Sequence, residues 1–177
     1  EVSGLTIKEV FQELKKAGQR TMPGGGSEIL TNEIKSKISR FKPKNSVDQW
    51  TDVHRNAHDV GIYTTATMMY GHLEDDSDII ETLSHIRKVQ DEAINSKPAK
   101  FTAFIPWSFK KDNTALGKKI TKEAGPNQYL RIIAISRIFL DNINHIQASW
   151  FSEGYKTGQI ALSFGADDFG GTLFDEN

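Results

Sequence analysis

Apolar residues recur at helical spacing from the start of the chain. Ile7, Val10, Phe11 and Leu14 stand at i, i+3, i+4 and i+7. Ahead of them Thr6-Ile7-Lys8-Glu9 is a capping box, whose hydroxyl and carboxylate satisfy amides that a helix start leaves free. The pattern predicts a helix that stops at Gly18, after Lys15 and Lys16, whose charge suits the negative end of its dipole. Ser46-Val47-Asp48-Gln49 is a second capping box, and Trp50, Val53, Ala57 and Val60 make the stripe of a second long helix ending at Gly61. Asp75, Asp76 and Asp78 open a third, carrying Ile79, Leu83, Ile86 and Val89. Asn127 to Leu140 reads as a fourth, with Leu130, Ile133, Ala134 and Ile138 inward. A short helix is expected from about Thr31 to Ile38, and Thr157 to Phe164 stays open, though Ile160, Ala161 and Phe164 fit a helical face.

Between these helices lie short extended runs. Gln19 to Pro23 leads into three glycines, Ile62 to Tyr70 is rich in residues that favour strands, and Phe101 to Pro106 is apolar enough for a strand buried on both faces. His145 to Trp150 is a fourth candidate, with Trp107 and Trp150 each expected to end a strand. Short strands alternating with amphipathic helices imply βαβ units and a parallel sheet, the α/β class. Four such units amount to half of a β/α barrel, treated as one partial domain over residues 1–177. In such barrels the loops after the strands build the active site.

Composition narrows the partners. Formal net charge is -1 and no stretch is dense in Lys or Arg, which argues against nucleic acid. Mean hydropathy is -0.47 and no apolar run approaches the roughly 18 residues of a bilayer span, so a soluble, cytoplasmic protein is expected. The chain starts at Glu1-Val2-Ser3 without an initiator Met or apolar leader and ends Leu173-Phe174-Asp175-Glu176-Asn177 without a stop signal, so it is expected to be an internal piece of a longer protein. There is no Cys, which excludes disulfides and thiolate-bound metal within these residues.

Candidate chemistry gathers at the predicted strand ends. Pro23-Gly24-Gly25-Gly26-Ser27-Glu28 lets backbone amides approach a ligand, with Glu28 as acceptor for hydroxyls; a plain tight turn explains the same residues. The segment lacks the spacing of either common nucleotide-phosphate motif. His72 follows a strand beside Tyr70 and Glu74, and is either a donor, acceptor or base, or a structural hydrogen-bonder. Trp107 and Trp150 offer faces for a planar ligand or fill the core. His54 and His58 share a helical face that can chelate a metal, but no Glu stands in the H-E-x-x-H place and the exposed side of an outer helix is expected to hold them; no metal site is assigned. Asp167 and Asp168 read as a solvated turn in preference to paired carboxylates.

Taken together, Pro23 to Leu30, Thr65 to Glu74, Phe104 to Phe109, Leu140 to Ile143, Gln147 to Trp150 and Phe164 to Gly170 resemble the ordered blocks of the futalosine-pathway radical S-adenosylmethionine enzymes. Aminofutalosine synthases and deazaflavin (FO) synthase subunits share the general pattern; Ile105-Pro106-Trp107 and Gln147-Ala148-Ser149-Trp150 look more like the dehypoxanthine futalosine cyclases of menaquinone biosynthesis. The resemblance implies a radical S-adenosylmethionine barrel, in which S-adenosylmethionine on a 4Fe-4S cluster yields a 5′-deoxyadenosyl radical that takes hydrogen from the ribose of a nucleoside-like substrate. The sugar radical then closes onto a benzoate ring.

Thr67-x-Met69-x-Gly71-x-x-Glu74 sits like the family's G-x-I-x-G-x-x-E strand, with Thr and Met replacing Gly and Ile, so Thr67, Met69, Tyr70, Gly71 and Glu74 carry over as contacts to the cofactor. Gly25, Glu28, Trp107, Gln147 and Ser149 become candidates for the substrate, with His72 as proton acceptor. The family's C-x-x-x-C-x-x-C loop is missing, so the cluster ligands must lie upstream and the piece alone is expected to be inactive. Two other readings stay open: a stand-alone nucleoside-binding module, and a half barrel that self-associates through unpaired strand edges.

Overall fold

A computed structural model describes residues 4–39, 46–121 and 123–171. The two chain ends on which the expectation of an internal piece rests lie outside the described residues. The elements run α1 (Ile7–Lys16), β1 (Thr21–Met22), α2 (Asn32–Ile38), α3 (Val47–Asp59), β2 (Tyr63–Tyr70), α4 (Asp76–Ser96), β3 (Phe101–Ser108), α5 (Pro126–Phe139), β4 (His145–Ile146), α6 (Trp150–Glu153) and α7 (Tyr155–Ala161). Both predicted capping boxes form, at Thr6/Glu9 and Ser46/Gln49, and Asp75 caps α4 by accepting from the Ser77 and Asp78 amides.

The sheet is parallel, in the order β1-β2-β3-β4. Parallel strands that neighbour one another in sequence order, when all their crossovers have the usual right hand, carry their connecting helices on one face and leave the other to become a barrel lumen. Beyond β4 a further parallel bridge, Gln147 to Asp168, begins the next strand position.

Burial along β2 alternates accordingly. Thr64, Ala66, Met68 and Tyr70 are buried under the helices, whereas Tyr63, Thr65, Thr67 and Met69 face the open side. Paired residues of parallel strands share a face, so the registers Thr67 with Ile105 and Met69 with Trp107 put Ile105 and Trp107 on that open side too. The main core lies between sheet and helices, built from Trp50, Met68, Leu83, Ile86, Phe101, Phe104, Ile133 and Ile146 among others.

Four expectations are corrected. Helix α5 buries Tyr129, Ile132, Ile133 and Ser136, while Ile138 is 80% exposed. Its residues are apolar nearly all round, so packing against the sheet chose the face, and the sequence did not mark it. Only Phe11 of the α1 stripe is buried; Ile7, Val10 and Leu14 remain exposed, because α1 meets α3 along one edge, through Phe11, Ala57 and Ile62. Trp150 does not end a strand. It starts α6 and stacks on Tyr155 with ring centroids 4.4 Å apart, with Phe169 also in the stack.

His54 and His58 are the fourth correction. They are not on the solvent side of α3: they are 2% and 0% exposed and share one hydroxyl, with Thr64 Oγ1 3.0 Å from His54 Nδ1 and 2.8 Å from His58 Nε2. The apolar stripe of α3 is too narrow to cover the helix face of β2, and the two imidazoles complete it. Asp167 is exposed, as expected of a solvated turn, and it also anchors that turn, accepting from the Ile146 amide and from Arg137 Nη2, both at 2.8 Å.

Candidate functional site

Loop 24–28 runs up the open side of β2 and is bonded to it at three levels. The Gly24 amide donates to Thr65 Oγ1 at 2.7 Å, Ser27 Oγ bonds Thr67 Oγ1 at 2.8 Å and the Thr67 carbonyl at 2.5 Å, and the Met69 amide donates to the Glu28 carbonyl at 3.1 Å. Gly24 lies so close to β2 that a side chain would strike the Thr65 carbonyl. Gly25 is the opposite case, since an added Cβ would meet nothing within 4 Å among the described residues. Its backbone therefore borders the open side. Glu28 closes the loop in the left-handed region, at φ 41°, which a side chain other than glycine rarely adopts.

Met69 is the hub of the rim. Its amide holds Glu28, its sheet partner is Trp107, and its carbonyl accepts from His72 Nε2 at 3.0 Å. Glu28, Trp107 and His72 thus surround one residue at the C-terminal end of β2. The three arrive differently, however. Trp107 is half-buried on the open face and the Glu28 side chain is 31% exposed, but the His72 side chain is fully buried, with Nδ1 receiving the Leu73 amide at 2.7 Å and facing Glu74 Oε2 at 3.0 Å. Both ring nitrogens of His72 are taken up by the turn that follows the strand.

Glu74 is occupied in the same turn, accepting from the Gly71 and His72 amides with its side chain 3% exposed. Gly71 supplies the positive φ of 88° that this turn requires. Tyr70 points the other way, into the helix-covered core, so toward the open side the strand offers Thr67 and Met69. The Thr67 hydroxyl in turn holds Ser27. The threonine standing where the family pattern has glycine therefore binds the loop to the strand.

Gln147 is half-buried and backed by Gly170, its amide donating to the Phe104 carbonyl at 2.9 Å; Ser149 is buried, its amide donating to Tyr129 Oη at 2.7 Å.

Two residues that sequence reasoning passed over belong to this rim. Lys35 of α2 is 4% exposed and reaches the loop, and Glu153 of α6 has a side chain 3% exposed. Glu153 Oε1 accepts from the Ser108 amide at 3.1 Å, from Ser108 Oγ at 2.5 Å and from Ser152 Oγ at 3.3 Å, tying the end of β3 to the segment after β4. Neither stood in a motif, and charged residues in short polar helices read as solvent-facing. Truncating Glu153 to Ala leaves a buried amide without its acceptor and is expected to cost on the order of 2 kcal/mol in urea unfolding, whereas Glu153→Gln keeps a carbonyl acceptor and costs less than about 1 kcal/mol.

Comparison with known proteins follows the same lines. Residues 1–86 match the model of the radical SAM superfamily and residues 98–177 that of the CofH/MqnC C-terminal region. A cyclic dehypoxanthine futalosine synthase of Halalkalibacterium halodurans is 42% identical over 177 residues, which are 100% of this chain and 45% of that protein. A 5-amino-6-(D-ribitylamino)uracil–L-tyrosine 4-hydroxyphenyl transferase of Methanococcus maripaludis is 43% identical over 180 residues, covering 100% of this chain and 48% of that one. The chain thus spans about half the length of the curated relatives it matches. Among solved structures, the FeFe-hydrogenase maturase HydG from Carboxydothermus hydrogenoformans superposes with a TM-score of 0.66 at 18% identity, over 92% of this chain and 36% of that one; a second HydG structure gives 0.70 at 17%, over 92% and 35%. These likenesses show the fold, part of a parallel β/α barrel.

Proposed function

Because this chain belongs to the radical S-adenosylmethionine superfamily, with a C-terminal region of the CofH/MqnC type, we propose that it is the C-terminal half of an enzyme that cyclises dehypoxanthine futalosine to cyclic dehypoxanthine futalosine, on the futalosine route to menaquinone. The observation that carries the reading is the convergence on Met69, whose amide fixes the Glu28 backbone and whose sheet partner is Trp107, bringing a carboxylate-bearing residue and an aromatic one to the end of the strand assigned to the cofactor. A substrate made of a ribose and a benzoate ring asks for those two groups.

The family works with S-adenosylmethionine and a 4Fe-4S cluster. A chain without Cys contributes no thiolate to the cluster, whose ligands come from other polypeptide. The cofactor is a different matter: Thr67 and Met69 on the open face, and the backbone of Gly25 with free space before it, suit an adenosyl group lying along the strand ends. When bound and reductively cleaved, S-adenosylmethionine supplies the hydrogen-abstracting radical.

In this reading Glu28 orients the ribose through its hydroxyls and Trp107 stacks on the ring, so that ring and sugar are held within bonding reach. Gln147 and Ser149 close the far side of the rim, and Gly71 with Glu74 shapes the turn beside the cofactor strand. His72 serves as proton acceptor only if the turn releases a ring nitrogen. In the geometry seen here it braces the turn, and His72→Gln in the whole enzyme is expected to lower turnover by loosening the Met69 carbonyl.

The transferase relatives, at equal similarity, support a second reading, in which the substrates are those their name states. One assay separates the two. Enzyme that includes the cluster-binding half, reduced with S-adenosylmethionine, is expected to turn dehypoxanthine futalosine into a product lighter by two hydrogens, one taken as a hydrogen atom into 5′-deoxyadenosine and the other lost as a proton and an electron. Conversion of tyrosine and 5-amino-6-(D-ribitylamino)uracil in its place would move the chain to the other branch.

A further inference from the structure

Lys35 is a charged side chain buried where no motif calls for one. Its ammonium donates to the Gly26 carbonyl at 2.8 Å and stands 3.9 Å from Glu28 Oε2, with 4% of the residue exposed. Taking an ammonium out of water is strongly unfavourable unless partners offset the loss. Burial accordingly lowers the Lys35 pKa, and the Glu28 carboxylate opposes that shift. Both partners lie in the glycine loop, which among the described residues is otherwise held from the β2 side, through Thr65, Thr67 and Met69. An unbranched apolar side chain would fill the volume beneath the loop without the desolvation penalty, so packing does not explain a lysine here.

We propose that Lys35 is the positioning residue for Glu28, fixing the loop from beneath and holding the carboxylate directed to the vicinal hydroxyls of a ribose at the rim. This rests on Glu28 being the hydroxyl acceptor, as in the function proposed above. A charged acceptor makes the shorter and stronger hydrogen bond to a hydroxyl, and a loop already fixed at φ 41° has less freedom to lose when the ligand arrives. Both the cofactor and the substrate of that function carry such a diol.

A double-mutant cycle in the cluster-loaded enzyme, with its N-terminal half present, tests this. S-adenosylhomocysteine and dehypoxanthine futalosine are titrated separately by calorimetry. Lys35→Met is expected to raise the Kd of one of them about tenfold, and Lys35→Arg to restore most of the loss. In a Glu28→Gln background Lys35→Met is expected to change nothing further. The ligand that responds identifies the ribose that Glu28 holds. Lys35→Gln, which keeps a donor for the Gly26 carbonyl but no charge, carries the same expectation should the Met variant not fold.

Unchanged affinity for both ligands in the Lys35 variants, or an equal loss when Glu28 is already Gln, overturns the positioning role while leaving the functional reading intact. Wild-type enzyme that binds neither ligand overturns the functional reading, and this inference with it.

Discussion

Replacing Gly24 by alanine is expected to unseat the glycine loop and abolish turnover, while the same change at Gly25 leaves the fold untouched. A Cβ at Gly24 would stand 2.2 Å from the Thr65 carbonyl oxygen and 2.7 Å from its carbon, and both atoms are backbone of the central strand β2. Neither can rotate away, so the loop must lift. Lifting it breaks the Gly24 bond to Thr65 and pulls Ser27 from Thr67. Forcing extra volume into close packing costs about 1–3 kcal/mol, and each lost hydrogen bond about 1 kcal/mol more. A fall on the order of 3 kcal/mol in unfolding free energy is therefore expected for Gly24→Ala in urea titrations, against less than about 0.5 kcal/mol for Gly25→Ala. Equal midpoints for the two variants would mean that the loop does not lie on β2. If Gly25→Ala keeps its stability and loses ligand affinity, the ligand passes over the loop backbone.

Acid is expected to destabilise the protein well above the usual carboxylate range, through His54 and His58. Burial is the main cause that pushes His54 down to about 3, with His58 adding to it. Burial likewise takes His58 to about 4, opposed by Asp59 and reinforced by Lys97. Both rings are neutral in the native state and pack against Phe101, at centroid distances of 5.0 Å each. In the unfolded chain they take up protons near pH 6.5. Between that value and the lowered native pKa values the unfolded state binds more protons, so stability is complete above about pH 6.5 and falls as pH drops toward 4. At about 1.4 kcal/mol per pKa unit the two rings together put several kcal/mol into this slope. Denaturant unfolding at a series of pH values measures it, and the double variant His54→Gln, His58→Gln should flatten the curve between pH 4 and 6.5. A slope that persists in that variant would place the titrating groups elsewhere.

The same two histidines show where sequence reading reached its limit. Spacing put them on one face of α3 correctly, but which face looked inward depended on how much of β2 the helix had to cover. Ile138 failed for the related reason that α5 is apolar on several sides, so periodicity left its rotation undetermined. The capping boxes, by contrast, involve residues three positions apart and were legible in full, as were the strand–helix alternation and the loops after the strands. Residues at the rim divided in the same way. Glu28, Met69 and Trp107 were singled out because they stand in motifs at strand ends; Lys35 and Glu153 were not, because their partners lie elsewhere in the chain, Lys35 across the loop at Gly26 and Glu28, Glu153 45 positions away at Ser108.

The sequence by itself determined most of the local elements and the parallel α/β class, because helix caps, runs of strand-favouring residues and contiguous motifs depend on neighbours within a few residues. Only the tertiary structure decided which way the rim residues face. Tyr70 alternates into the core while Met69 faces the open side, His72 and Glu74 are taken up by the turn they form, and Lys35 comes beneath the glycine loop. Register and crossover packing bring together groups that lie far apart along the chain, and the free energy that fixes them arises in contacts that a linear pattern does not record.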